Sequence, residues 1–365
     1  MLKTSANINN NKLKHNKTYF GKAIRFDEIH THKKQLNLDK MMKLVNKDLK
    51  NIKNKNKKLK RCPICQDSNL IFYVKKYDFK LDKCQNCGLI FCNPYPSKQQ
   101  IYHYYNSEMK KFENEFFIES FENRLNIFYP RIELIKKYRK SGKILDIGSS
   151  IGVFLEALNR VDHNYQLTCC DIDKDSCDKL KNRYPKIEVI NSDFVDIEKK
   201  PDYDIITMWD TVEHIVDQNL LFDSIKKMLR QDGLFFFSTP NTDSFEWMVA
   251  NKEHVQLLPP GHVNLLNINS ISTLLKNNGF SLKDYFTLNP SLDVDYVLKL
   301  KNKKIKTNVF QENYLVSLFS NQKFREDFEK ILKKHKKAGN ILVIAQNTTQ
   351  NSIKKNFLES YYDEK

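Results

Sequence analysis

The segment 143–158, KILDIGSSIGVFLEAL, constrains the fold more than any other stretch of the chain. Ile144, Leu145 and Ile147 make a short buried-strand pattern. Gly148 and Gly152 allow positive φ and close backbone approach, and Val153, Phe154, Leu155 and Leu158 begin an apolar helical stripe. A strand–turn–helix unit aims the free N–H groups of its helix at the turn, where polar or anionic ligands settle. A dinucleotide fingerprint wants glycine at the third and sixth turn positions, which are Ser150 and Val153 here, and the Gly-Lys-Ser/Thr of a P-loop is absent. Two readings stand: a nucleoside-like ligand with no pyrophosphate to cradle, or a plain tight connection.

The rest of the chain repeats the alternation. YQLTCCDID predicts a second strand ending at Asp171, whose carboxylate can accept both ribose hydroxyls of a nucleoside lying across the sheet edge. IEVINSDF predicts a third, with Asp193 placed to accept an adenine amine and Phe194 to flank the ring. YDIITMWD, LFFFSTPN, SLKDYFTL and NILVIAQ predict four more. Between them, Val216, Leu220, Leu221, Ile225 and Leu229 predict an amphipathic helix closing at Gly233. SISTLLKNNGF predicts a short helix with Ser270 as N-cap and Gly279 at its end. The expectation is an α/β fold, a doubly wound, mostly parallel sheet with helices on both faces and its site at the carboxyl ends of the strands.

A net charge of +17 on 365 residues suggests a nucleic-acid binder until the charge is located. Residues 1–61 carry 18 Lys/Arg against 4 Asp/Glu, whereas the rest carries 43 against 40. The basicity belongs to an Asn- and Lys-rich N-terminal arm, 1–60, read as a poorly ordered extension or as an electrostatic contact for membrane or RNA phosphates. Its middle, MMKLVNKDLKNI, has helical spacing and is expected to dock on the body. No apolar h-region follows the first charges and no run approaches the roughly 18–20 apolar residues of a membrane span, so a soluble, cytoplasmic protein with reduced cysteines is expected.

Cys62-Pro-Ile-Cys65 and Cys84-Gln-Asn-Cys87 are separated by 18 residues, the spacing of a four-thiolate zinc site closed by a returning hairpin, LIFYVKKYDF. Four thiolates leave no open position, so the zinc is expected to be structural, in a small zinc-ribbon-like module over 61–96 with a core separate from the sheet. Residues 97–130 are densely aromatic, with Phe112, Phe116 and Phe117 at near-helical spacing, and read as packing or as a helical lid. The catalytic domain is expected over 131–348, with an insertion at 289–338 shaping acceptor specificity and a tail at 349–365.

In order, LDIGSSIG, CCDID, NSDF, DIITMWDTVEHI, LRQDGLFFFSTPN and PPGHVNLLNINSISTLLKNNGF resemble the motifs of class I S-adenosylmethionine-dependent methyltransferases over roughly 125–348. The match is closest to bacterial enzymes that pair a C-x-x-C/C-x-x-C segment and an NPxP linker with this domain, often alongside surface-polysaccharide or secondary-metabolite synthesis. The resemblance implies a Rossmann-like sheet of seven strands, the last antiparallel. It also implies S-adenosylmethionine, with its methionine end at Asp146, Gly148, Ser149 and Gly152, its ribose on Asp171 beside Ile172, its adenine at Asp193 and Phe194, and Trp209 alongside. Ser149-Ser150 departs from the further glycine that many members carry in the turn.

Asp210, Glu213 and His214 are expected to share one helix face at the mouth of that site. Three readings stay open. His214 acts as general base toward an acceptor hydroxyl; the D-x-x-E-H set holds a divalent ion such as Mg²⁺, as its similarity to ubiquinone-biosynthesis O-methyltransferases implies; or Glu213 and His214 cap a helix. His262, after the rigid PPG loop, is the second candidate base and His254 the third. A small-molecule or glycan acceptor methylated on a hydroxyl is the preferred expectation. An RNA methyltransferase using the arm and zinc module is the alternative, and a non-catalytic interaction protein on a degenerate shell the third.

Overall fold

The computed structural model describes residues 32–288, 317–319 and 321–348. Most of the expected arm, most of the 289–338 insertion and all of the expected tail therefore lie outside the described residues. Helix α1 (His32–Leu49) precedes a hairpin of β1 (Leu70–Lys76) and β2 (Phe79–Cys84) and the short β3 (Ile90–Cys92). Helices α2 (Lys98–Tyr105), α3 (Glu108–Glu119) and α4 (Phe121–Tyr138) lead into the alternating region. There β4 (Gly142–Ile147), α5 (Val153–Val161), β5 (Tyr165–Asp171), α6 (Lys174–Arg183) and β6 (Glu188–Asn191) are followed by β7 (Tyr203–Trp209), α7 (Gln218–Met228) and β8 (Leu229–Pro240). Helix α8 (Phe245–Ala250), β9 (Asn264–Leu265), α9 (Ile268–Asn277), β10 (Phe280–Thr287), α10 (Gln322–Lys334) and β11 (Asn340–Asn347) complete the described chain.

The main sheet has seven strands in the order β10-β11-β8-β7-β4-β5-β6, and β11 runs antiparallel to both neighbours, as the resemblance implies. The remaining pairs are parallel. Strand order reverses between β4 and β7, the switch point outside which ligands bind in such sheets. Successive strand residues serve opposite cores, as the two-residue pleat demands. Ile144, Cys169, Ile205, Phe236 and Leu342 pack with Ile132 and Ile135 of α4 and Phe154 and Leu158 of α5. Leu145, Cys170, Ile206, Phe235 and Val343 pack with Phe222 and Ile225 of α7 and Leu274 of α9.

Two helix ends differ from expectation. Helix α7 ends at Met228 rather than Gly233, because Leu229 is buried as the strand partner of Tyr203 and belongs to the sheet, not to the helical stripe. Asn267, not Ser270, caps α9: its Oδ1 accepts from the Ser270 N–H at 2.9 Å and its own N–H donates to Ser270 Oγ at 3.0 Å, a reciprocal capping box.

The expectation of a separate core for the cysteine module fails. Cys62, Ile64, Leu81 and Phe91 belong to the same buried cluster as Ile206 and Phe235, which Met42, Val45 and Leu49 of α1 also join. The reason is strand β9, which pairs antiparallel with β3 and makes the loop before α9 the fourth strand of the cysteine sheet. The apolar residues of a 3-residue β3, all buried, need that second surface.

Candidate active site

The turn after β4 is held by backbone bonds to the neighbouring strand: Gly148 and Ser149 both donate to the Cys170 carbonyl, at 2.9 and 3.3 Å. Gly148 has φ +78°, and a Cβ there would come within 2.6 Å of Thr211 Oγ1, so only glycine fits between the turn and the end of β7. Gly152 is the left-handed N-cap of α5. Ser150, where the family often has glycine, also takes positive φ, +47°. The strain of a left-handed serine, of order 1–2 kcal/mol, is offset by its N–H, which donates to Asp171 Oδ2 at 2.7 Å. The Asp173 N–H binds the other oxygen at 2.9 Å. Each Asp171 oxygen thus accepts one backbone bond and keeps capacity for a second, while burial raises its pKa.

Ile172 is exposed at the rim, an apolar surface beside that carboxylate. Asp193 caps a short 3-10 turn by accepting from the Val195 N–H at 3.1 Å, and burial raises its pKa. Phe194 is buried in the core, which leaves little free face for an adenine. Asp146 lies deeper still, accepting from Thr207 Oγ1 at 2.6 Å, and burial pushes its pKa up to about 7. Trp209 closes β7 between Phe128 and Phe154, with the Arg131 guanidinium 4.9 Å over its ring.

The residues after Trp209 form a 3-10 turn, Val212–His214, rather than a helix. The shared face expected for Asp210, Glu213 and His214 therefore does not exist. Asp210, at φ +49°, accepts at its Oδ1 from Ser238 Oγ at 3.1 Å and from Asn340 Nδ2 at 2.8 Å, and it lies outside the closely spaced group that forms here. What comes together instead is Glu213, His214 and His262, whose ligand atoms lie within 4.8 Å of one another. The rings of His214 and His262 meet edge to face at 4.7 Å.

Hydrogen bonds assign the tautomers. His214 Nδ1 lies 2.9 Å from the Gly261 carbonyl and His262 Nδ1 lies 2.7 Å from the Gln256 carbonyl. A carbonyl only accepts, so each Nδ1 carries the proton and each Nε2 keeps a lone pair. Burial holds His262 down to about 4, and burial with the neighbouring His262 holds His214 well below its ordinary value, so both rings are neutral. Glu213, buried with Oε2 unpartnered, is raised far above the carboxylate range by burial and by Asp210. His254 is different: its Nδ1 accepts from the Gln256 N–H and its ring packs, tilted by 31°, on Trp247 at 4.4 Å, outside the group of Glu213, His214 and His262.

Three further residues reach the cluster from the aromatic helices. Tyr105 Oη sits 2.9 Å from His214 Nδ1, and Lys110, paired with Glu113, stands 5.4 Å over the Tyr105 ring. Sequence reasoning missed Tyr105, Lys110, Glu113 and Ser150. The available signal was Lys110 and Glu113 at i,i+3 beside a Tyr-Tyr pair, which marks one helix face but not what it covers.

In the cysteine module, the Cys62 and Cys87 sulfurs are 3.6 Å apart and the Cys65 and Cys84 sulfurs 3.4 Å, all four within 4.8 Å. A tetrahedral ion with sulfur at ~2.3 Å spaces its ligands about 3.8 Å apart, so the four thiols fit zinc. The hydrogen bond between Cys62 and Cys87 lowers the pKa of Cys62 and raises that of Cys87.

Residues 122–284 match the family model described as "Methyltransferase domain". That stretch is a methyltransferase domain. S-adenosylmethionine is the cofactor of this class. A "Probable S-adenosylmethionine-dependent methyltransferase" of Mycobacterium tuberculosis is 27% identical over 117 residues, 32% of this chain and 40% of that protein. The chain thus spans under half the length of that relative. The ubiquinone biosynthesis O-methyltransferase of Hydrogenovibrio crunogenus is 24% identical over 193 residues, 46% of this chain and 79% of that protein. Among solved structures, coclaurine N-methyltransferase bound to N-methylheliamine and SAH aligns with 63% of this chain and 71% of its own at 15% identity and a TM-score of 0.40. Among the described residues no helix of the methyltransferase domain or its neighbours is long and apolar enough to cross a membrane.

Proposed function

We propose that the protein transfers the methyl group of S-adenosylmethionine to a hydroxyl of a small-molecule or sugar acceptor, with His214 or His262 taking the proton. The observation that carries this reading is the pair of neutral imidazoles with Nε2 lone pairs, His214 just past the end of β7 and His262 brought against it by the loop before β9, at the sheet edge of the glycine turn and the Asp171 and Asp193 carboxylates. The cofactor's sulfonium supplies the leaving methyl; the chain supplies position and a proton acceptor. In this reading the turn at Asp146, Gly148, Ser149 and Gly152 receives the methionine end, Asp171 and Ile172 the ribose side and Asp193 the adenine, while Phe194 stays in the core and Trp209 backs the pocket. Cys62, Cys65, Cys84 and Cys87 hold one structural zinc. Eight cysteines, all free, fit a reducing cytoplasm.

A divalent ion at the bases is a second reading, favoured by the convergence of Glu213, His214 and His262. Two nitrogen ligands suit a transition metal better than Mg²⁺, and Asp210 is outside the set. Incubation of the protein with labelled cofactor and fractionated cell extract tests the main reading. Label in a small-molecule hydroxyl supports it; label in RNA or protein overturns it. Turnover abolished by a chelator that leaves the thiolate-bound metal in place would select the ion.

A further inference from the structure

Strand β3 starts three residues after Cys87 and ends in contact with the loop that carries His262. Ile90 pairs with Leu265 and Phe91 with Asn264, and the Cys92 N–H donates to the Val263 carbonyl at 3.0 Å. Val263 in turn donates its own N–H to the Glu213 carbonyl at 3.0 Å. One residue, next to His262 in sequence, is therefore bonded to the cysteine sheet on one side and to the His214 turn on the other.

Asn264 repeats the arrangement with its side chain. Its Oδ1 accepts from Tyr95 Oη at 2.7 Å, and its Nδ2 donates to the Ile215 carbonyl at 2.8 Å. Both cysteine knuckles also meet the methyltransferase domain. Asn219 Nδ2 donates to the Pro63 carbonyl at 3.1 Å and Asn277 Nδ2 to the Ile64 carbonyl at 3.0 Å. A Cβ on Gly88 would come within 2.3 Å of Asn267 Nδ2, so the second knuckle lies directly on the α9 cap. Val263 and Asn264 are fully buried, so no water competes for these bonds.

We propose that the four-cysteine module is a positioning element of the histidine site, so that metal bound by Cys62, Cys65, Cys84 and Cys87 sets the placement of His262 and His214 through β3, Val263 and Asn264. The proposal rests on the reading of those histidines as the bases. Its consequence is that metal occupancy controls proton removal while leaving the cofactor edge, built from β4, β5 and β6, alone. A module that only stabilised the fold would weaken both together.

The test removes the metal from the full chain by chelation, and separately by the Cys84→Ser/Cys87→Ser variant, and reads three quantities that need no acceptor. These are S-adenosylmethionine affinity by calorimetry, amide hydrogen exchange over 213–216 and 262–265, and NMR titration of the two histidines. The expected result is affinity within about twofold of the metal-loaded protein, exchange in both segments faster by about tenfold or more, and histidine titration moving up toward 6.5. Cobalt(II) should restore all three and show thiolate-to-metal absorption. Where an acceptor is in hand, kcat should fall by about 10²-fold, the effect of a small misplacement of a catalytic group. Tyr95→Phe provides a second route that leaves the cysteines intact: metal content should stay at one ion per chain while the histidine titration shifts in the same direction. Unchanged exchange and titration in metal-free protein would overturn the proposal, as would loss of cofactor binding in step with the histidine changes. Failure of methyl transfer in the loaded protein, with the histidine shifts present, would count against the methyltransferase reading alone.

Discussion

The glycine-turn edge, where the cofactor is proposed to bind, and the histidine cluster occupy the same end of one sheet, yet they are assembled in opposite ways. The edge is local: Gly148, Ser150, Gly152 and Asp171 lie on two adjacent strand ends, linked by bonds such as Ser150 N–H to Asp171 at 2.7 Å. The cluster is long-range: Tyr105 reaches His214 across 109 residues of sequence, and the Gly261 carbonyl reaches it across 47. The edge presents partly exposed carboxylates, whereas the cluster presents neutral imidazoles and a glutamate removed from water, its pKa raised by burial and by Asp210. The two are held by different hydrogen bonds within one shared core, so a variant that breaks only the bonds of one should spare the other.

The largest effect that sharpens this contrast is on chemistry. His214→Gln with His262→Gln should lower kcat by about 10²–10⁴-fold and leave S-adenosylmethionine affinity unchanged by calorimetry. A double variant with wild-type kcat would mean that the acceptor needs no protein base.

Acidity should expose the cluster next. His262 titrates at about 4 in the folded chain against 6.5 in the reference state. Between those values the unfolded chain binds the extra proton, so this histidine's contribution to stability is complete above about 6.5 and falls by ~1.4 kcal/mol per unit of pH down to about 4. Denaturant unfolding of the wild type and His262→Asn across pH 4–8 should show the difference between them shrinking in that window and flat above it.

On the cofactor side, Asp171→Ala should weaken S-adenosylmethionine binding by about 1.5–3 kcal/mol, the loss of charge-assisted hydrogen bonds, with histidine titration untouched. Wild-type affinity in a folded variant would remove Asp171 from the ribose. Gly152→Ala places a Cβ 2.4 Å from Leu180 Cδ2 at φ +79°. It should cost about 1–2 kcal/mol of stability, read as a lower unfolding midpoint, and loosen the turn rather than the cluster.

The same division decides what could be read from the sequence. Parallel strands buried on both faces appear as apolar runs, so β4, β5, β7 and β8, and the acids that close β4, β5 and β7, were visible at once. The glycine turn was visible because Gly148 and Gly152 have few other uses at such spacing. Asp210 was misplaced because i, i+3 and i+4 share a face only in an α-helix, and a 3-10 turn with a left-handed Asp210 redirects it. The replacement partner, His262, depends on a loop pinned by β3, and no periodicity reports a strand of two residues such as β9. The reach of Tyr105, Lys110 and Glu113 into the cluster is likewise a tertiary fact.

The smallest expected effect concerns that reach. Tyr105→Phe removes one hydroxyl from His214 Nδ1 and leaves the Gly261 carbonyl to hold the tautomer, so kcat should change by the worth of a single hydrogen bond, about 0.5–1.5 kcal/mol. A loss of 10³-fold (~4 kcal/mol) would show that Tyr105 does more than orient the ring.

The most direct measurement is a crystal structure of the chain with S-adenosylhomocysteine bound. The expected result is the homocysteine at the Gly148–Gly152 turn, both ribose hydroxyls on Asp171, the adenine beside Asp193, and the sulfur facing the Nε2 atoms of His214 and His262 across a gap that fits an acceptor. A nucleoside bound away from Asp171, or a sulfur walled off from both histidines by α2 and α3, would contradict it.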